Sequence, residues 1–517
     1  MQYDYAKNKE EKPEPMKAVT EGTVPPWLQG TLVRVGPGLF SVGETSYDHW
    51  FDGMSLLHSF TIKDGNVFYR SRFLRGDTYK ANMEAKRIVI SEMGTMAYPD
   101  SSKSIFSKFI TFLNHTVPDF TDNCGNNIIR YGNNFYATSE TNYIRKIDPI
   151  TLETHDKVDY MKYLPVNIVT SHPHYDKEGN AYNMGTSIAD KAKTKYILFK
   201  VPAEKEGMTS PVLKNTEIIC TLPCRSVFSP SYYHSFGMTE NFFIFIEQPL
   251  KLDILKMATA YMRGVNWASC IKYLPDDNTL IQLIDRRTKK VVHKFYTDAM
   301  VVHHLVNAYE EDGHAVLDVI AYCDNSLYDM FYLSKMKEGP ESQGSKDTDF
   351  TSKYKRLVLP LSDKGAGTGE NIVKLKHTTA TAVKEKDGKI LCHPEILCEG
   401  TEVPRINYDL NGKKHRFVYM TCVGSAIATK IGKFDAETKK MIEWSEESCL
   451  PSEPVFIPKP NAVEEDDGVV LTSVINLNPG KSFLLVLDAK SFKEVARSYV
   501  NTDLHMDMHG YFIPECS

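Results

Sequence analysis

No stretch of about eighteen consecutive apolar residues occurs, the length a membrane-spanning helix needs. The opening residues, MQYDYAKNKEEKPEP, are charged where a secretory leader carries an apolar core. The expected location is therefore the cytosol. None of the 10 cysteines forms a CxxC pair, which argues against a disulfide frame or a zinc ribbon and fits free thiols in a reducing compartment. Dense Lys/Arg clusters are missing too, and the net charge is −5 with a pI near 6.4, so no nucleic acid partner is expected. Gly-rich phosphate loops, GxSxG elbows and HExxH motifs are absent. That removes the commonest nucleotide, serine-hydrolase and zincin chemistries.

What the sequence has is hairpins. Phe60 to Tyr69 reads FTIK-DG-NVFY, two β-forming runs around a turn pair that tolerates positive φ. Similar turns recur at Gly132-Asn133, Glu178-Gly179, Asp312-Gly313, Asp387-Gly388, Asn411-Gly412 and Asp467-Gly468, beside segments rich in Val, Ile, Tyr and Phe. The expectation is an all-β protein with one large core, since 42% of the 517 residues are hydrophobic. An open sheet of this length would leave long unpaired edges. Radial repetition of small sheets, a propeller, avoids them, although no strict internal repeat is visible. Two segments, Ser101 to Leu113 and Leu250 to Arg263, have helical spacing instead. They are expected to cap the β core, and the second reading is transient contact of their apolar faces with a membrane surface. Lys335 to Lys353 is polar and poor in β-formers, as for a mobile surface loop within one domain spanning 1–517.

Of the 16 histidines, four sit in unusual settings: His172 in TSHPHY, His234 in SYYHSFG, His304 in VHHLVN and His509 in MHGYF. Imidazole suits Fe, Cu, Ni and Zn, whereas a structural zinc site is expected to include cysteine and a facial-triad oxygenase needs a carboxylate ligand. Ligating histidines usually donate their second N–H to a carboxylate or carbonyl. Glu140, Glu402 and Glu453 interrupt strand-like or proline-bounded segments, though each alone reads more readily as an exposed loop acid. His174 shares a strand face with His172, so geometry leaves it open as a further ligand.

Together with HWFDG (His49 to Gly53), SETNY (Ser139 to Tyr143), NAYEE (Asn307 to Glu311), PSEPVF (Pro451 to Phe456) and EEDDGVV (Glu464 to Val470), these motifs resemble the carotenoid cleavage oxygenase family from Thr23 to the final His509-Gly. The resemblance implies a seven-bladed β-propeller with a helical and loop cap over its top face. It further implies Fe(2+) held by His172, His234, His304 and His509, with Glu140, Glu402 and Glu453 accepting hydrogen bonds from the ligands; it omits His174. Phe51, Tyr232 and Tyr322 are the implied substrate-binding residues, their rings facing a lipophilic carotenoid. The stretches Asp253 to Cys270, Phe295 to Val302 and Ala321 to Leu327 resemble members that cleave centrally. The expected reaction is therefore O₂-dependent cleavage of β-carotene at 15,15′ to two all-trans-retinal, with no catalytic side chain beyond the iron centre. The alternatives are eccentric 9′,10′ cleavage, retinoid isomerohydrolysis and, from another class, a carotenoid-binding propeller without catalysis.

Three positions depart from the family pattern. His303 replaces the usual Phe before the third ligand, and the spacing to Asn307 favours His304 as that ligand. Pro99-Asp-Ser-Ser-Lys103 lacks the cysteine of relatives, which weakens the case for firm membrane anchoring. Leu450 stands where similar dioxygenases carry Trp and is expected to alter the wall of the substrate tunnel.

Overall fold

The computed structural model describes residues 3–97, 121–188, 194–205, 211, 213–338, 351–423 and 427–515. The hairpin read from FTIK-DG-NVFY forms as Met54–Lys63 paired with Asn66–Phe73. Asp64 and Gly65 take φ of 50° and 78°, the conformation a two-residue turn between right-twisted strands requires. Asp312 and Gly313 do the same between Val301–Glu311 and His314–Tyr322.

Such hairpins build seven sheets arranged as the blades of a propeller. Blade 1 runs inward through Asn66–Phe73, Met54–Lys63 and Gly30–Leu39 to His509–Pro514. The inner strands of the following blades are Asn127–Tyr131 (blade 2), Ile168–Val169 with His174–Tyr175 (blade 3), Gly237–Met238 (blade 4), Val301–Glu311 (blade 5) and Thr401–Arg405 (blade 6). Cys449–Pro451 and Val455–Pro458 serve blade 7. Middle strands lie between neighbouring blades and are covered on both faces: all nine residues of His314–Tyr322 are buried. Asn66–Phe73, farther out, alternates buried and partly buried residues, the period-2 pattern of a strand with one wet face.

The ring is closed twice. Val19–Gly22 adds to the outer edge of blade 7 through Glu494–Tyr499, and the C-terminal His509–Pro514 pairs with Gly30–Leu39, placing Arg34 opposite Gly510 and Val35 opposite His509. Close approach here needs glycine. A Cβ at Gly510 would run into the Val33 carbonyl oxygen and come within 2.5 Å of Arg34 Cγ. Gly510→Ala is therefore expected to destabilise the protein by about 1–3 kcal/mol, an overpacking cost, measured by urea unfolding of the metal-free chain.

The segment expected to be helical from Leu250 splits. Leu250–Leu252 pairs as a strand with Ile271–Tyr273, and the helix α1 spans Ile254–Arg263. Asp253 decides the boundary, because its side chain accepts from Lys256 N–H as an N-cap, and Gly264 at φ 67° ends the helix. Ile254, Met257 and Ala260 bury against Tyr232, Tyr322, Leu327 and Tyr328, so α1 caps the blades as expected. The segment 101–113 and the Pro99 to Lys103 departure lie outside the described residues. Of the segment expected to be a loop, 335–353, the first residues belong to a short helix, Leu333–Lys337, Lys353 begins the strand Lys353–Pro360, and 339–350 lie outside the described residues. Among the described residues no helix is long and apolar enough to cross a membrane.

Candidate metal centre

Each of the seven blades sends one of the seven expected side chains to the propeller axis. His509 begins the inner strand of blade 1, Glu140 follows Asn134–Thr138 of blade 2, and His172 lies between the two inner strands of blade 3. His234 precedes the inner strand of blade 4, His304 is on that of blade 5, Glu402 on that of blade 6, and Glu453 joins the two of blade 7. His172, His234, His304 and His509 each present a ring nitrogen to one point, all four lying within 4.8 Å of one another. Five of the six ring pairs have centroids 4.7 to 5.1 Å apart, and His172 Nε2 faces His234 Nε2 at 3.0 Å.

The carboxylates stand behind three of these rings. His234 Nδ1 donates to Glu140, His304 Nδ1 to Glu402 Oε2 at 2.7 Å, and His509 Nδ1 to Glu453 Oε2 at 2.5 Å. Glu402 reaches its place through a distortion of the strand. Pairing of Thr401–Arg405 with Phe417–Val423 slips between Glu402 and Arg405, and Val403 sits at φ 42°, a costly conformation for a β-branched residue. The bulge also turns the Val403 N–H back onto Glu402 Oε2 at 2.7 Å.

The family model of the retinal pigment epithelial membrane protein, RPE65, matches residues 5–514. The chain belongs to this family, that of the carotenoid oxygenases. It is 59% identical over 521 residues to the β,β-carotene 15,15′-dioxygenase of Gallus gallus, covering 100% of this chain and 98% of that one. Identity to the Homo sapiens β,β-carotene 15,15′-dioxygenase is 57% over 520 residues, with 99% and 94% covered. The mitochondrial carotenoid-cleaving dioxygenase of Mustela putorius furo is 41% identical over 516 residues, with 98% and 95% covered. Among solved structures, a cobalt-substituted Synechocystis ACO superposes with a TM-score of 0.75 at 20% identity, over 99% of this chain and 98% of that one. The shared fold is the propeller.

In this carotenoid oxygenase the donor set fits a metal. His234, His304 and His509 spend their Nδ1 protons on carboxylates, so as neutral imidazoles they keep lone pairs on Nε2. His304 Nε2 is buried with no hydrogen-bond partner among the described residues, and His172 Nε2 meets another acceptor rather than a donor. Lone pairs converging in a buried space repel unless a cation lies between them. Burial, then the neighbouring histidines, drives His172 and His304 well below the usual imidazole range, so both hold the uncharged, ligating form. Burial alone would raise the Glu453 carboxyl, but Arg405, His509 and Arg34 beside it hold it down to about 2. Glu402 is likewise buried yet driven well below the carboxylate range by His304 and His303.

His304 contributes one of the four converging nitrogens, and it also lies with His303 and Glu402 in a second cluster of potential ligand atoms; His303 Nδ1 donates to Glu402 Oε1 at 2.9 Å and its ring centroid lies 4.4 Å from that of His234, tilted by 34°. His174 Nε2 donates to the Phe236 carbonyl at 2.7 Å and stays out of the quartet. Tyr232, Tyr322 and Phe51 do gather in one apolar cluster with Tyr328, Phe331, Met93 and Trp267. The two tyrosines also make contacts that the motifs did not signal: Tyr232 Oη donates to Glu140, and Tyr322 Oη to Glu402 Oε1 at 2.6 Å. Leu450 does not fit the expected tunnel wall. It pairs with Ile475 and packs on the separate core of Val24, Leu28 and Leu471.

Proposed function

We propose that His172, His234, His304 and His509 hold Fe(II), and that the protein, one propeller unit over 1–517, cleaves β-carotene with O₂ at the central 15,15′ double bond into two retinal molecules. The observation that carries this reading is the neutral four-imidazole cluster braced by Glu140, Glu402 and Glu453, found in a chain 57–59% identical to 15,15′-dioxygenases along its whole length. Bound Fe(II) would supply electrons and open coordination for reaction of O₂ with a polyene. The chain's own contribution is positioning. Tyr232, Tyr322 and Phe51 present ring faces to the polyene, and the surrounding Met and aromatic side chains exclude water from the reacting bond. With both tyrosine hydroxyls directed at glutamates, only apolar surface of these rings is left for substrate.

Anaerobic Fe(II) reconstitution followed by β-carotene under ¹⁸O₂ tests this. The expected product is retinal alone, with one labelled oxygen per molecule. A long apocarotenal accompanied by a short ionone would mean 9′,10′ cleavage, turnover only of retinyl esters would mean isomerohydrolysis, and binding without products would mean a carrier.

A cytosolic protein must collect this substrate from lipid. The outer side of α1 exposes Leu255 (54%) and Met262 (37%), next to Phe228 (51%), whose carbonyl accepts the Ile254 N–H. We assign transient membrane-surface contact to this patch. Leu255→Glu is expected to lower co-sedimentation with carotenoid-loaded vesicles severalfold while leaving turnover of detergent-dispersed substrate unchanged; equal sedimentation of the two proteins would exclude the patch.

A further inference from the structure

One buried cation adjoins the centre through Glu453. Arg34, in the middle strand Gly30–Leu39 of blade 1, is 0% exposed. Its Nε and Nη2 grip both oxygens of Asp507 at 2.8 Å each, and Nη1 donates to the Glu453 backbone carbonyl at 2.8 Å. Nη1 also lies 3.9 Å from Glu453 Oε1, an oxygen that has Arg405 Nε at 3.4 Å and no closer donor among the described residues. Asp507 in turn accepts His58 Nε2 at 2.7 Å and Ser473 Oγ at 2.8 Å, which anchors it to blades 1 and 7. One residue separates it from His509, and that residue, Met508, donates its N–H to the Val35 carbonyl at 2.9 Å.

We infer that Arg34 is a positioning residue for the metal centre: by holding Asp507 and the Glu453 carbonyl together, it fixes both the His509 ring and the carboxylate that orients it. The inference rests on the four-histidine reading above. Backbone geometry makes room for the clamp. A Cβ at Gly510 would meet Arg34 Cγ, and one at Gly36 would come within 2.6 Å of Asp507 Cα. The task demands arginine, because three donors in one plane are used on two partners and a lysine ammonium cannot reproduce that fork. Leaving a lone guanidinium in the core would be costly, and Asp507 removes that cost by matching its charge.

The test is an anaerobic Co(II) titration of the metal-free full-length protein, read by affinity and by the visible d–d bands. Arg34→Lys and Asp507→Asn are each expected to raise the Co(II) Kd about tenfold, the lower end of the effect of residues that orient ligands, and to shift the bands. Arg356→Lys is the control: Arg356 makes a buried two-point pair with Asp318, both bonds 2.9 Å, but none of its partners touches the quartet or its glutamates. Its Kd is expected to stay within about twofold. Because Arg34 and Asp507 act as one clamp, adding Arg34→Lys to Asp507→Asn is expected to cost little beyond Asp507→Asn alone. Wild-type affinity and bands in both Arg34→Lys and Asp507→Asn would overturn the inference, as would full additivity of the two substitutions. A wild-type protein that takes up no Co(II), or that keeps it after His304→Ala, would refute the four-histidine reading itself.

Discussion

Replacing His304 by alanine is expected to give a folded protein that retains no iron and makes no retinal, whereas His303→Ala keeps one iron per chain. The two residues are neighbours, both buried, both donating Nδ1 to Glu402, so type, burial and hydrogen bonding do not separate them. Direction does. His304 carries the buried Nε2 that has no partner among the described residues and joins the nitrogens that converge on the axis, while the His303 ring lies 4.4 Å from that of His234, tilted by 34°. Loss of His304 leaves three imidazoles and an open side. Loss of His303 removes one of four donors to Glu402, which still accepts from His304, Tyr322 and Val403. Iron analysis after anaerobic loading and desalting reads the difference directly. A second readout is thermal: a metal that binds only the folded state raises Tm by mass action, so added Fe(II) should shift wild type and His303→Ala but not His304→Ala. Retained iron in His304→Ala with loss in His303→Ala would reverse the assignment. Alanine at His172, His234 or His509 is expected to behave like alanine at His304.

That ambiguity shows where sequence stops being legible. Hairpins such as Asp64-Gly65 could be read because a local rule, positive φ at two successive residues, leaves a local signature. Alternation along Val301–Glu311 could not, because its pairing slips once between Val302 and His304 and again between Leu305 and Asn307. Each bulge changes which side chains share a face, so strand period alone assigns neither histidine to the axis. Family spacing points to His304, the histidine whose ring nitrogen lies with those of His172, His234 and His509. The seven-fold ring shows no strict repeat in the sequence, and the blades send their histidine or glutamate to the axis from different loop and strand positions. The hydroxyl bonds of Tyr232 and Tyr322 and the Arg34 clamp join residues 80 to 473 positions apart, and no local pattern encodes such pairs.

Among the carboxylates, Glu453→Gln is expected to cost about 100-fold in iron affinity and Glu402→Gln about tenfold, the two ends of the range for groups that orient ligands. Their surroundings set the order. A glutamine at 402 can keep its amide oxygen toward His304 Nδ1 and the Val403 N–H, leaving the NH₂ group toward His303 and Tyr322. Both of those can adapt: a tyrosine hydroxyl turns to accept, and His303, which lies outside the proposed quartet, moves its proton to Nε2. At 453 neither orientation works. With the amide oxygen on His509, the NH₂ group faces Arg405 Nε and Arg34 Nη1, which have no lone pair to offer. Turned round, the NH₂ group meets His509 Nδ1 and forces the proton onto Nε2, removing the lone pair that would bind the metal. Either way a buried negative charge disappears from beside two guanidinium groups, one of them already matched by Asp507. Iron titrations of the two variants under one buffer read the order, and a Glu402→Gln protein weaker than Glu453→Gln would show that the charge around Glu453 does not govern how His509 is held.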